Sequence, residues 1–178
     1  KSVIMKDVFT QGDSFFNTGD LVRDIGFRHA QFVDRLGDTY RWKGENVSTT
    51  EVENVVSEYE KIAEAVVYGV EIPNTNGRAG MAAITLADHA EFTEHDLQQM
   101  ATEFKKCLPA YAVPVFLRIQ VHVETTGTFK YQKNTLKEQA FDPNKTDERL
   151  LVLLPNATGY CDLTAEIFNN IQAYQYRF

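Results

Sequence analysis

Three polar clusters in this chain hold residue types that could do chemistry. The first is Thr18-Gly19-Asp20, a carboxylate beside a glycine, where the missing Cβ lets the hydroxyls of a ligand come close to the backbone. The second is the charged run from Asp34 through Asn46. So many charges keep it out of a core and put it at the surface, where binding groups and hinges concentrate. The third, Thr126 to Lys137, sets lysines on and after a Thr/Gly-rich loop, an arrangement suited to neutralising a phosphate or a developing negative charge. Taken singly, each has a plain alternative. Thr-Gly-Asp is a common turn, and the charged run also reads as a solvated hairpin.

The elements that must position these clusters come from a chain of 178 residues, 43% hydrophobic, with 12 Phe and 8 Tyr, enough for one ordinary domain or a small domain with a fragment of another. A net charge of -7 argues against a general nucleic-acid binder, which needs a basic surface. Cys107, Cys161 and the four histidines His29, His89, His95 and His122 have no zinc or disulfide spacing, so no metal site is expected and the cysteines read as reduced and cytosolic. No apolar run approaches the ~20 residues of a membrane span and no signal peptide is visible. A first residue that is Lys rather than Met suggests a fragment or processed chain.

Periodicity and turn chemistry order the elements. Residues 1–10 read as the end of a helix, Gln11 to Ser14 as a turn, Ser14 to Leu21 as a strand, Arg23 to Gly26 as a turn and Phe27 to Val33 as the returning strand. Such a hairpin has no visible partner sheet and belongs with a larger body. A strand over Thr39 to Lys43 precedes a capping box at Ser48-Thr49-Thr50-Glu51, then a helix with Val52, Val55, Val56, Tyr59 and Ala63 on one face. Strands over Ala65 to Ile72 and Met81 to Leu86 form an antiparallel pair about the turn Pro73 to Gly77. Thr93 caps a second helix with Phe92 and Leu97 as its staple and an apolar stripe reaching Leu108. Val115 to Val121 alternates as a half-buried strand, and a short helix follows around Lys133 to Gln139. The tail reads as a strand, a turn and a closing helix. The fold class expected is α+β: a small domain with a mostly three-stranded sheet and helices packed on it, preceded by a β-hairpin remnant of a larger domain.

Phe16-Asn17-Thr18-Gly19-Asp20, Asp34-Arg35-Leu36-Gly37-Asp38 with Lys43-Gly44-Glu45-Asn46, Glu51-Val52-Glu53 and Thr126-Gly127-Thr128-Phe129-Lys130 resemble consecutive signature motifs of the adenylate-forming superfamily, which comprises acyl-CoA synthetases, nonribosomal-peptide adenylation domains and luciferases. The wording of residues 34–53 is most similar to the very-long-chain acyl-CoA synthetase and fatty acid transport protein branch. The resemblance implies the C-terminal portion of a larger ligase: residues 1–36 as the end of the AMP-binding domain, 37–140 as the mobile C-terminal domain and 141–178 as an extension packed on it. The parent's substrates would be a fatty acid, ATP with Mg2+, and CoA, with the Mg2+ ligands outside this chain. Its chemistry has two steps, acyl-AMP formation and then displacement of AMP by the CoA thiol, with the small domain turning between them.

By motif match, Asp20 resembles the carboxylate that holds the ribose hydroxyls and Arg35 the arginine that contacts the same region. Lys130 resembles the lysine that bridges substrate carboxylate and α-phosphate during adenylation. Gly37 and Asp38 stand at the hinge, where many relatives have Asp or Lys in place of Gly37. Trp42, Lys43, Gly44 and Glu45 resemble the loop brought in for thioester formation. Phe129 replaces the glycine that usually precedes the lysine, which keeps Lys133 and Lys137 as alternatives. The partners implied are the N-terminal domain of the parent and the three substrates, with no nucleic acid. Localisation is read as cytoplasmic, with peripheral membrane association through the upstream part left open. Two other functions stay open: an adenylate-forming ligase with a carrier-protein thiol as acceptor, and a lipid-uptake or interaction protein whose motifs are relics.

Overall fold

The computed structural model describes residues 4–18, 20–35, 39–88, 90–120 and 129–178, with the backbone alone at 20, 21, 32–35 and 129–132. The chain divides into two compact units, Lys1–Asp38 and Thr39–Phe178.

The first unit is two antiparallel ribbons. Strand β1 (Ile4–Lys6) pairs with β2 (Ser14–Phe16) in the register Ile4 to Phe16, so the helix expected over residues 1–10 is, over the described residues 4–10, a strand and a loop. Side chains explain the difference. The Asp13 carboxylate accepts the N–H groups of Val8, Phe9 and Thr10 at 2.7, 2.9 and 2.9 Å, and Asp7 accepts that of Gly12 at 2.6 Å. Local Asp-to-backbone bonds of this kind compete with a helix. Strand β3 (Asp20–Gly26) returns as β4 (His29–Arg35). The tip lies at Phe27-Arg28 rather than at residues 23–26, because the two-residue turn needs two positive φ values and these residues supply 51° and 61°. No Asn-Gly signal marks them in the sequence. Both ribbons leave apolar side chains open to solvent within this chain, Phe16 at 70% and Phe27 at 97% exposure among them.

The second unit opens with β5 (Thr39–Trp42) and β6 (Glu45–Ser48), a hairpin where the sequence promised a single strand. Helix α1 (Thr49–Ser57) follows, its N-cap Ser48 hydroxyl accepting the Glu51 N–H at 3.3 Å. It stops short of the expected Tyr59 and Ala63 because β7 (Ile62–Val70) takes Ile62 onward into a ladder with β8 (Ala79–Leu86). Helix α2 (Glu94–Cys107) crosses to β9 (Phe116–Gln120), which lies parallel to β8. Helix α3 (Phe129–Gln139), β10 (Arg149–Val152), β11 (Cys161–Asp162) and α4 (Ala165–Gln172) complete the unit.

The sheet has five strands in the order β11-β10-β9-β8-β7, wider than the three expected because the tail pairs with the free edge of β9, Leu151 opposite Leu117. An uncovered β9 would present unpaired backbone groups to solvent. Its neighbours also bury β9 more deeply than its alternation suggested. Arg118 and Gln120, read as the solvent face, are 5% and 8% exposed. Arg118 forms an ion pair with Glu148 and donates to the Thr146 hydroxyl at 3.0 Å, so the loop before β10 neutralises a charge that could not otherwise be buried.

Asp96 fixes the start of α2. It accepts from Lys61 Nζ at 2.8 Å, the Thr93 hydroxyl at 2.6 Å, the Thr93 N–H at 2.7 Å and the Tyr59 hydroxyl at 3.2 Å. Lys61 first, then the two Thr93 donors, hold its carboxyl well below the usual carboxylate range against the opposing effect of burial. Burial and the Asp96 charge push the Tyr59 phenol up to about 12. A carboxyl depressed in the folded state contributes stability that is complete above its unfolded value of about 4 and fades as pH falls below it. Asp96→Asn is therefore expected to lower stability at pH 7 by roughly 1–2 kcal/mol. The gap to the wild-type chain should narrow in denaturant melts as pH falls below about 4, where the unfolded wild-type chain takes up a proton at Asp96 while the folded chain keeps the carboxylate.

Candidate functional site

The thioester-step candidates Trp42, Lys43, Gly44 and Glu45 form the tip of the β5–β6 hairpin, Trp42 directly opposite Glu45. Lys43 and Gly44 are the two turn residues, with φ of 51° and 87°, the pair of left-handed conformations a two-residue hairpin turn requires. A Cβ added at Gly44 would meet nothing within 4 Å. The backbone there is open to an approaching molecule, and the glycine is required by conformation rather than by space. Trp42 is turned inward at 3% exposure, and Lys43 Nζ lies 5.8 Å from the centre of its ring, within cation–π reach.

Residues the sequence reading did not single out hold this hairpin in place. Gly69 of β7 and Gly80 of β8 are direct partners in the ladder, so they leave one shallow, side-chain-free patch on the sheet. Tyr40 fills it. A Cβ at Gly69 would meet Tyr40 Cβ at 2.6 Å, and one at Gly80 would meet the Tyr40 hydroxyl at 2.3 Å. The phenol is 6% exposed, and burial raises its pKa. A second fastening comes from the turn after β7: the Arg78 N–H donates to the Arg41 carbonyl at 2.6 Å, and Gly77, at φ 91°, bridges Trp42 where a Cβ would strike that carbonyl at 2.2 Å. The available sequence signal was glycine inside a strand, which often marks close approach of another element.

Lys130, the adenylation candidate, is the second residue of α3. It lies within a helix whose start the sequence placed near Lys133. The alternative Lys133 is committed elsewhere. Its Nζ lies 3.4 Å from Glu53 Oε1 on α1, and that same oxygen accepts the Val67 N–H of β7 at 2.8 Å. Lys133 is 17% exposed in this pair, and Leu136, one helical step on, is buried at 2%. Helix α3 is thus tied to α1 by the Lys133–Glu53 pair, packs against β7 and buries Leu136 in the core. Glu53 was read only as part of the Glu51-Val52-Glu53 motif, without a role. Lys137 also lies on α3, in its last turn.

In the first unit, Asp20 opens β3 and Arg35 closes β4, and the two are opposite each other in the ladder. Backbone pairing therefore brings together two nucleotide-site candidates separated by fourteen intervening residues. Gly37 and Asp38 lie outside the described residues, as do Gly19 and Thr126 to Thr128. Among the described residues no group of His, Cys, Asp and Glu is arranged to hold a metal ion.

Comparison with known proteins follows the same geography. The family described as AMP-binding enzyme C-terminal domain matches residues 51–130, ending on the candidate lysine. The chain belongs to the adenylate-forming superfamily. Within it, long-chain fatty acid transport protein 6 of Mus musculus is 47% identical over 173 residues, 97% of this chain and 28% of that protein. The medium/long-chain-fatty-acid–CoA ligase FadD6 of Mycobacterium tuberculosis is also 47% identical, over 92% of this chain and 27% of its own length. The chain thus spans little more than a quarter of these curated relatives. Among solved structures, a fatty acyl CoA synthetase of Mycobacterium tuberculosis superposes with a TM-score of 0.55 at 27% identity, covering 75% of this chain and 25% of that one. The R395G form of coronafacic acid ligase from Pectobacterium brasiliense reaches a TM-score of 0.63 over 82% of this chain and 27% of its own, at 18% identity, and bears on the fold alone. The family model covers most of α1 through the start of α3, while the alignment with the mouse relative takes in nearly the whole chain.

Proposed function

We propose that this chain is the C-terminal part of an ATP-dependent long- or very-long-chain fatty acid–CoA ligase. The observation that carries this reading is that one compact unit holds both step-specific elements. The thioester-step hairpin sits on the Gly69–Gly80 patch, and the helix with Lys130 is tied to the same strand β7 through Lys133, Glu53 and Val67. A unit that turns as a body can then present one element for acyl-AMP formation and the other for attack by the CoA thiol. Asp20 and Arg35, opposite one another on β3 and β4, suit the ribose hydroxyls and adjoining polar groups of ATP or AMP: the carboxylate accepts from the two hydroxyls and the guanidinium donates.

In this proposal residues 1–36 close the AMP-binding domain, Gly37 and Asp38 are the hinge, 37–140 are the mobile domain and 141–178 are its extension. In sequence the boundary between the two compact units falls between Asp38 and Thr39, next to the proposed hinge. ATP, Mg2+ and CoA are the cofactor and cosubstrates of the parent, with Mg2+ held outside this chain. No helix among the described residues is long and apolar enough to cross a membrane.

The test is to assay the full-length protein with fatty acid, ATP and either CoA or a phosphopantetheinylated carrier protein. Thioester is expected with CoA, and this chain alone should make none. Transfer only to the carrier would replace the CoA reading with the carrier reading. No pyrophosphate release with any fatty acid would favour a lipid-uptake role, which the name of the mouse relative also suggests.

Lys133 gives a finer check on how α3 is placed. Lys133→Met keeps the aliphatic stem but removes the cation beside Glu53, partly buried at 25% exposure. It should cost roughly 1 kcal/mol of stability and slow pyrophosphate exchange about tenfold while leaving the Km for ATP near its original value. A rate fall as deep as that of the Lys130 variant would instead make Lys133 the adenylation lysine.

A further inference from the structure

The turn of the β3–β4 ribbon carries an aromatic side chain where the backbone favours something smaller. Phe27 and Arg28 are its two turn residues, with φ of 51° and 61°. Left-handed positions of this kind favour Gly, Asn or Asp, and a bulky residue there is an outlier that costs stability. Within this chain nothing offsets that cost. The Phe27 ring is 97% exposed and enters no ring contact among the described residues. A strained residue kept without an internal contact points to a contact outside the chain. Val22 and Ile25, 56% and 57% exposed, continue the open apolar surface along β3. Arg23 and Arg28 are exposed on the same ribbon and have no ion-pair partner among the described residues. The acid between them in sequence, Asp24, accepts the Gly26 N–H at 2.8 Å, so its carboxylate is turned to the backbone. The turn is thus a cationic, apolar point on a chain whose net charge is -7.

We propose that the β3–β4 turn is a membrane-contact point: Phe27 enters the interfacial region of an anionic bilayer while Arg28 and Arg23 meet its phosphate-bearing headgroups. An apolar ring gains by leaving water at that depth, and arginine donates to phosphate oxygens in pairs. Shape and charge together favour lipid over a protein partner. A two-residue turn is a convex point, which fluid headgroups and acyl chains can close around, whereas a stable protein interface takes a broad face of about 800 Å² on each side. The contact also leaves the nucleotide candidates clear. Asp20 and Arg35 stand at the other end of the same ladder, roughly 20 Å away by strand rise. The proposal goes beyond the ligase reading and stands without it.

The test uses the full-length protein carrying Phe27→Trp, with vesicles of phosphatidylcholine and phosphatidylserine whose acyl chains are brominated. The emission added over the wild-type background should move to the blue on vesicle addition and be quenched by the bromines. Arg28→Gln in that background is expected to raise the lipid needed for half-maximal quenching about fivefold, the effect of one cation near a charged surface, and to change nothing with phosphatidylcholine alone. Phe27→Gly suits the left-handed turn better than Phe does, so the ribbon keeps its fold. It should raise the lipid needed for half-maximal sedimentation at least about tenfold, the loss of one buried ring. An added emission that the bromines leave unquenched overturns the proposal: red emission places the turn in water, and blue emission before any lipid is added places it under another part of the protein. An unchanged lipid requirement in Phe27→Gly overturns it as well. The two readings fail differently. Thioester formation without quenching removes the membrane contact and leaves the ligase, and quenching without pyrophosphate release removes the ligase and leaves the contact.

Discussion

Lys130→Ala in the full-length protein is expected to lower fatty-acid-dependent pyrophosphate exchange by about a thousandfold, while thioester formation from supplied acyl-AMP falls by less than about fivefold. The first figure follows from removing a preorganised charge at the point where negative charge develops, which costs roughly 3–4 kcal/mol of transition-state stabilisation. The second follows from the two-step arrangement. In the proposed function displacement of AMP by a thiol would use the hairpin, and the helix start that carries Lys130 belongs to a different part of the unit. Lys130→Arg keeps the charge but spreads it over a planar fork, and should recover only part of the rate. An equal fall in both half-reactions, measured with radiolabelled pyrophosphate and synthetic acyl-AMP, would remove the lysine from its proposed role. A full loss in Lys133→Met beside a mild effect in Lys130→Ala would move that role one helical turn along.

What could be read from sequence divides along a physical line. Local signals with their own chemistry were legible: the Ser48 and Thr93 caps, the α2 stripe, the antiparallel pair of β7 and β8 and the order of the motifs. Misread features depend on long-range partners. Arg118 and Gln120 have the polarity of a solvent face, and only the arrival of Glu148 and Thr146, about thirty residues on, makes a buried arginine tolerable. The turn at Phe27-Arg28 carries positive φ values on residues that give no turn signal. In the candidate site, Trp42 to Glu45 could be picked out by motif, but its hairpin form and its seat could not. That seat depends on Gly69 and Gly80 standing opposite each other, a matter of register, and register between two strands is set by the pairing of the whole ladder.

The seat itself makes the second large prediction. Gly69→Ala is expected to cost roughly 3 kcal/mol and to undock the hairpin, because the new Cβ would sit 2.6 Å from Tyr40 Cβ and 2.9 Å from Arg78 Cβ. Both atoms lie next to the backbone, so no side-chain rotation relieves the contact. Gly80→Ala presses at the other end of the same ring, 2.3 Å from the hydroxyl oxygen and 3.1 Å from the carbon that bears it. Tyr40→Phe separates the two. The Tyr40 hydroxyl is buried without a hydrogen-bond partner among the described residues, so deleting it should be neutral or slightly stabilising. In a double-mutant cycle, Tyr40→Phe should recover about 1 kcal/mol of the Gly80→Ala loss and none of the Gly69→Ala loss. In the full-length protein, Gly69→Ala should cut the rate of thioester formation from acyl-AMP at least about tenfold, since a mispositioned group of about 1 Å can cost far more than that. Pyrophosphate exchange should be retained, because α3 is held through the Lys133–Glu53 pair and the buried Leu136. Simple additivity of Tyr40→Phe with Gly80→Ala would mean that the Tyr40 hydroxyl does not press on Gly80. Stability lost with both half-reactions equally impaired would mean that the patch supports the sheet alone, and that the hairpin takes its position from elsewhere.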